Sequence, residues 1–99
     1  MTSLTFAHEP DAARYTLRRG SELVSILDYN DNGRSIALTR AYTVPNHRGR
    51  GYAAELTDRA VAAIEREGGR TVIPVCWYVA DWFEAHPERA GILRSHQSA

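Results

Sequence analysis

Apolar and polar residues alternate in twos through the first half of this chain and then change period. Leu4 to His8 reads as a short edge strand, interrupted by Pro10 and Asp11. Ala13, Tyr15 and Leu17 alternate with Arg14, Thr16 and Arg18, the signature of a half-exposed strand. Gly20-Ser21 supplies a turn. Glu22 to Tyr29 is strand again, with Val24 and Ile26 on one face and Leu23 and Leu27 on the other. Asn30-Asp31-Asn32-Gly33 marks a hairpin, because Asn and Gly tolerate positive φ. Ser35 to Thr43 or Val44 then pairs back.

From Tyr52 to Glu67 the period becomes helical. Ala53, Leu56 or Thr57, Ala60 and Ile64 form the apolar stripe, and Glu55 and Arg59 make an i,i+4 pair elsewhere on the helix. Gly68-Gly69 ends it. Arg70 to Val75 is a compact β-branched strand. Val79 to Ala85 is a short helix that stops at His86-Pro87, since a residue before proline disfavours helical geometry. The tail after Glu88 holds few apolar residues and is expected to be loosely ordered. The order β-β-β-β-α-β-α gives an α+β domain with a mixed, mostly antiparallel sheet. Its one β-α-β unit must place two strands in parallel through a right-handed crossover.

With 99 residues the chain supports one core, so residues 1–99 are expected to form a single domain. Twelve basic residues balance twelve acidic ones, which argues against a nucleic-acid or membrane surface. All the basic residues are arginine, and Arg40, Arg48 and Arg50 cluster, so a local anion site is compatible with neutrality. No apolar run approaches the ~20 residues needed to span a bilayer, and the start lacks a signal-peptide pattern. The single cysteine cannot form an internal disulfide, and a cytoplasmic location is the expectation. The four histidines share no ligand spacing, so no metal is expected.

The chemistry concentrates in Val44-Pro45-Asn46-His47-Arg48-Gly49-Arg50-Gly51-Tyr52-Ala53-Ala54, between a strand and a helix. Backbone N–H groups at a helix start lack intrahelical partners and favour an anion. Gly49 and Gly51 remove side chains that would hold a pyrophosphate away, and Arg48 and Arg50 add donors suited to phosphate. His47, in this loop, is open to two readings, a phosphate contact or, preferred, a plain surface residue. The spacing is neither a Walker A loop nor a dinucleotide fingerprint, for no Lys-Ser or third glycine follows.

Arg48 to Ala53 reads Arg-x-x-Gly-x-Ala, which resembles the acetyl-coenzyme A signature of the GNAT superfamily. Pro74-Val75-Cys76-Trp77-Tyr78-Val79, then Trp82-Phe83 and His86-Pro87-Glu88, is similar to its very small single-domain branch, that of N-acetyltransferase domain-containing protein 1. The resemblance covers about Ile36 to Glu88. It implies a minimal GNAT fold whose two parallel strands splay to admit the pantetheine arm of acetyl-CoA, the cosubstrate. It implies that Tyr42, Thr43 and Val44 pair with the pantetheine amides. Gly49 to Ala53, including Arg50, Gly51 and Tyr52, would receive the pyrophosphate, and Arg48 would anchor the loop.

Acetyl transfer to an amine acceptor is the implied reaction. Cys76 is then placed to accept acetyl or to line the pocket, and Tyr78 to protonate the leaving thiolate. Trp77, Trp82 and Phe83 are expected in the core or lining the groove. The chain departs from larger GNATs in two ways. No carboxylate stands out as general base, and there is no room for an N-terminal helical arm between the first two strands. The alternative is a non-catalytic module that binds acyl-CoA or a protein. Sequence leaves the acceptor and the oligomeric state open.

Overall fold

A computed structural model describes residues 3–93. Its sheet runs β1 (Leu4–Glu9), β2 (Arg14–Arg19), β3 (Glu22–Asp31), β4 (Ser35–Thr43) and β5 (Thr71–Pro74), in that spatial order. The first four strands are antiparallel neighbours, and β5 lies parallel to β4. Helix α1 (Tyr52–Glu67) makes the crossover, and α2 (Trp77–Ala85) follows β5. This is the α+β order that the periodicity predicts. Between β1 and β2 there is only a 3-10 turn, Pro10–Ala12, closed by Ala13 at φ 53°. No helical arm fits there. Among the described residues no helix is long and apolar enough to cross a membrane.

One core lies between the sheet and the helices. Leu56, Ala60, Val61 and Ile64 of α1 pack with Tyr15, Leu17, Leu27 and Leu38 of the sheet and with Val79, Trp82 and Phe83 of α2. Burying each large apolar side chain contributes roughly 1.5–3 kcal/mol. Burial, then its neighbour Tyr29, pushes the Tyr15 phenol far above its ordinary value, so it stays neutral in the core.

Two bulges change the strand faces that simple alternation predicts. On β3, Ser25 faces Leu17 but Leu23 faces Arg18, so Val24 is an extra residue. The extra residue shifts the phase by one. Val24 therefore joins Leu27 in the core, while Leu23 and Ile26 are only partly buried. On β4, Leu38 faces Tyr29 but Arg40 faces Asp28, so Thr39 is extra, its hydroxyl donating to the Asp28 carbonyl at 3.3 Å. An extra residue leaves part of the ladder unpaired and bends the strand.

Two further expectations are corrected. Helix α2 begins two residues earlier than predicted, at Trp77. Trp82 and Phe83 are buried, but Trp77 is 74% exposed. The segment after Glu88 is described as far as Leu93. Pro87–Ile92 forms a 3-10 turn, Leu93 bridges Val72, and the Arg89 guanidinium binds Asp58 and Glu65 while lying over the Trp82 ring. Arginine contacts onto α1, which apolar periodicity does not register, fix this segment. The end of the expected loose tail lies outside the described residues.

Candidate functional site

The site begins where β4 and β5 part. Their register runs from Ser35 and Thr71 to Leu38 and Pro74 and stops, whereas β4 continues to Thr43. Proline explains the stop. Pro74 has no N–H to extend the ladder, and its fixed φ suits the centre of a γ-turn. The Val75 N–H donates to the Ile73 carbonyl at 3.0 Å across that turn. The chain then leaves the sheet, and the Cys76 N–H, donating to the Leu38 carbonyl at 2.9 Å, closes the base of the gap.

Beyond that point β4 has a free edge. The Val44 N–H is taken by the Val24 carbonyl on β3 at 2.9 Å. Successive residues present their backbone groups to opposite sides of a strand. The Ala41 and Thr43 amides therefore face the gap, and Tyr42 faces β3. The bulge at Thr39 sets this phase, since the Leu38 carbonyl also faces β5.

The loop after β4 folds for stated reasons. Pro45 starts a 3-10 turn, Pro45–His47, and the His47 N–H donates to the Val44 carbonyl at 2.8 Å. Arg48 Nε donates to the Thr43 carbonyl at 3.1 Å, and its guanidinium lies 5.8 Å from the Tyr42 ring centre. Arg48 thus ties the loop to the strand end. Gly49 and Gly51 both have φ 81°, where side chains are strained. Gly51 is the N-cap of α1 and no side chain caps that end. The first intrahelical bond that involves it runs from the Glu55 N–H to the Gly51 carbonyl at 3.0 Å, which leaves the Tyr52, Ala53 and Ala54 amides to be satisfied from outside. A Cβ built on Gly49 or Gly51 would meet no atom within 4 Å, so the space over the loop is open.

These groups share one cleft of about 180 Å³, lined by Thr43, His47, Arg48, Gly49, Gly51, Tyr52, Ala53 and Tyr78. Seven of its eight lining residues come from the strand end, loop and helix start, and Tyr78 reaches it from α2. Four sequence candidates stand apart from it. The Val44 amide is already bonded, Tyr42 lies between the guanidinium groups of Arg40 and Arg48, and Arg50 is exposed. Cys76 is buried as the N-cap of α2, at the foot of the gap and outside this lining. Burial pushes the Tyr78 phenol above its ordinary value of 10.0, so it stays protonated and able to donate. No acidic residue lines the cleft, and among the described residues no group of His, Cys, Asp and Glu could hold a metal.

His47 departs from its surface reading. It is 6% exposed, and its Nε2 lies 3.1 Å from Glu22 Oε2. The approach is off the ring N–H direction, so neither ring nitrogen makes an aligned hydrogen bond. No periodic signal reaches a residue in a turn, and its burial depends on β3 passing beneath.

No curated protein is significantly similar to the chain in sequence. In fold it is similar to the ribosomal-protein-alanine N-acetyltransferase from Brucella melitensis biovar Abortus 2308, with TM-score 0.54 and 18% identity over 99% of this chain and 94% of that one. The family profile described as GCN5-related N-acetyl-transferase matches residues 14–92. That match reaches back to β2, well before the loop, and takes in the strand end, the cleft and α2. On that extent, the chain belongs to the GCN5-related N-acetyltransferase family.

Proposed function

We propose that the cleft binds acetyl-CoA and that the protein transfers its acetyl group to an amine. The observation that carries this reading is the conjunction of a free β4 edge at the strand gap with an uncapped helix start beside two positive-φ glycines. The edge suits the amides of a pantetheine arm, and the helix start suits its diphosphate. Thr43, Arg48, Gly49, Gly51, Tyr52 and Ala53 would hold the coenzyme, which supplies an acetyl group activated as a thioester. The smaller branch that the Pro-x-Cys-x-Tyr strand end resembles is the placement we favour within the family.

The residues divide the work as follows. A free-edge N–H of β4, from Ala41 or Thr43, stabilises negative charge on the acyl oxygen as an oxyanion donor. The amine attacks the acyl carbon, the carbon–sulfur bond breaks, and the Tyr78 hydroxyl gives its proton to the departing sulfur. With no carboxylate in the cleft, the amine must arrive deprotonated; the one proton it sheds on acylation goes to water, which returns a proton to Tyr78. Cys76 is buried at the foot of the gap, below the acyl end, and an acetyl-Cys76 intermediate is the minor route. The rival is a binding module that holds acyl-CoA without turnover. Thiol release from acetyl-CoA, followed over polyamines, amino acids and basic peptides at pH 7 and pH 9, separates the two. Release above the protein-free rate that rises with pH supports the transferase. Tight coenzyme binding with no release from any acceptor leaves the module.

A further inference from the structure

We infer that the His47 side chain is itself a ligand of the coenzyme diphosphate, oriented for that role by Glu22; this rests on the reading of the cleft as a coenzyme site. His47 is one of the cleft's lining residues, with Gly49, Gly51 and Ala53, where the helix amides are also unpartnered. It is buried to the same degree as core residues, and both nitrogens lack an aligned hydrogen bond. Folded proteins leave few buried polar atoms in that condition, and an apolar side chain could fill the same place with nothing left unsatisfied. An imidazole here is therefore explained by a partner that arrives with the ligand.

The surrounding charges identify that partner. Glu22, at the start of β3, is the carboxylate within 4 Å of the ring, and Arg19 faces it across the β2–β3 ladder. Arg48 and Arg50 come from His47's own loop, Tyr52 from α1 and Tyr78 from α2, and the last two are neutral when protonated. Arg48 is committed to the Thr43 carbonyl, and Arg50 points into the exposed part of the loop surface. An imidazole N–H donates to an anion from one nitrogen while the other lies beside a carboxylate. Glu22 on one side and a phosphate oxygen on the other complete that arrangement. The Tyr52 ring lies beside it, 6.0 Å between centres and tilted by 55°.

The test compares acetyl-CoA, its 3′-dephospho form and acetylpantetheine, which has no diphosphate. His47→Leu stays close to the volume of histidine and removes both nitrogens. It should weaken acetyl-CoA and the 3′-dephospho form alike, by about tenfold, equal to ~1.4 kcal/mol. Acetylpantetheine affinity should stay unchanged. Glu22→Gln should show the same selectivity to a smaller degree, and His47→Asn should restore part of the loss. A second measurement uses the wild-type chain alone, so that a misfolded variant cannot confuse the result. The ¹⁵N resonances of the His47 ring should move on saturation with coenzyme A and stay still with pantetheine. Weakening of acetyl-CoA but not of its 3′-dephospho form would reassign the contact to the 3′-phosphate and overturn the diphosphate role. Unmoved ring nitrogens in a protein saturated with coenzyme A would refute the role of His47 while leaving the cleft intact. Failure of the wild-type chain to bind coenzyme A at all would refute the reading of the cleft first.

Discussion

Two glycines separate the cost of backbone strain from the cost of blocking the cleft. Gly51 caps α1 at its start with φ 81° and ψ 13°, and Gly68 follows its end with φ 73° and ψ 171°. An added Cβ would meet nothing within 4 Å at either position, so alanine creates no clash inside the folded chain. What remains is conformational. Alanine in the left-handed region occupied by Gly51 costs about 1–2 kcal/mol. The region occupied by Gly68 is almost exclusive to glycine, and alanine there costs about 1–3 kcal/mol. Gly68→Ala is therefore expected to destabilise at least as much as Gly51→Ala. Each kilocalorie should lower Tm by roughly 4–8 °C in a domain of this size.

Binding should rank the two variants in the opposite order. The Gly51 methyl would stand in the open space that the loop amides need in order to meet a phosphate. A hydrogen bond to a charged group contributes roughly 1.5–3 kcal/mol, so losing one should weaken acetyl-CoA by about ten- to a hundred-fold. Gly68→Ala lies at the far end of α1 and should leave affinity unchanged. Urea unfolding gives the stabilities, and calorimetric titration gives the affinities of the folded variants. If Gly51→Ala loses stability yet binds acetyl-CoA as tightly as the wild type, close approach of the loop backbone to the coenzyme is wrong.

Further outcomes follow from the same geometry. Tyr78→Phe keeps the ring and removes the proton donor, so coenzyme affinity should hold while kcat falls by about a hundredfold or more; an unchanged kcat removes Tyr78 from the chemistry. Cys76→Ala should keep most turnover, and acetyl-CoA alone should add no acetyl mass to the wild-type chain; a stable one-acetyl adduct lost in the variant would establish the covalent route instead. Hydrogen bonds from Arg70 Nε to both Asp31 oxygens, at 2.8 and 2.9 Å, and from the Gly33 N–H hold the Asp31 carboxyl below its ordinary value. A depressed native value stabilises the fold above the unfolded value, near pH 4, and is lost as pH falls through the native one. Asp31→Asn should thus be less stable than the wild type at pH 7 and converge with it in acid, and a stability gap that persists unchanged to low pH would contradict the pairing.

Local rules determined much of this protein. The Asn32-Gly33 turn is legible because the Asn32 side-chain oxygen accepts from the Arg34 and Ser35 amides and Gly33 takes φ 91°. Helix α1 is legible from its period and its glycine ends, and the Glu55–Arg59 pair forms at 2.6 Å as the spacing predicts. The loop's backbone was readable as well, because glycine spacing reports positive φ and an uncapped helix start directly. Other features depended on distant partners. The bulges at Val24 and Thr39 arise from how neighbouring strands twist and pair, and they decide which side chains enter the core and which β4 amides face the gap. Trp77 lies in the open and Trp82 in the core because α2 is placed by β5 and by the 3-10 segment after it. His47 shows the limit most sharply. Its sequence neighbours make it a loop residue, and only the passage of β3 beneath that loop buries its ring beside Glu22, since burial is a property of packed surfaces and not of local order.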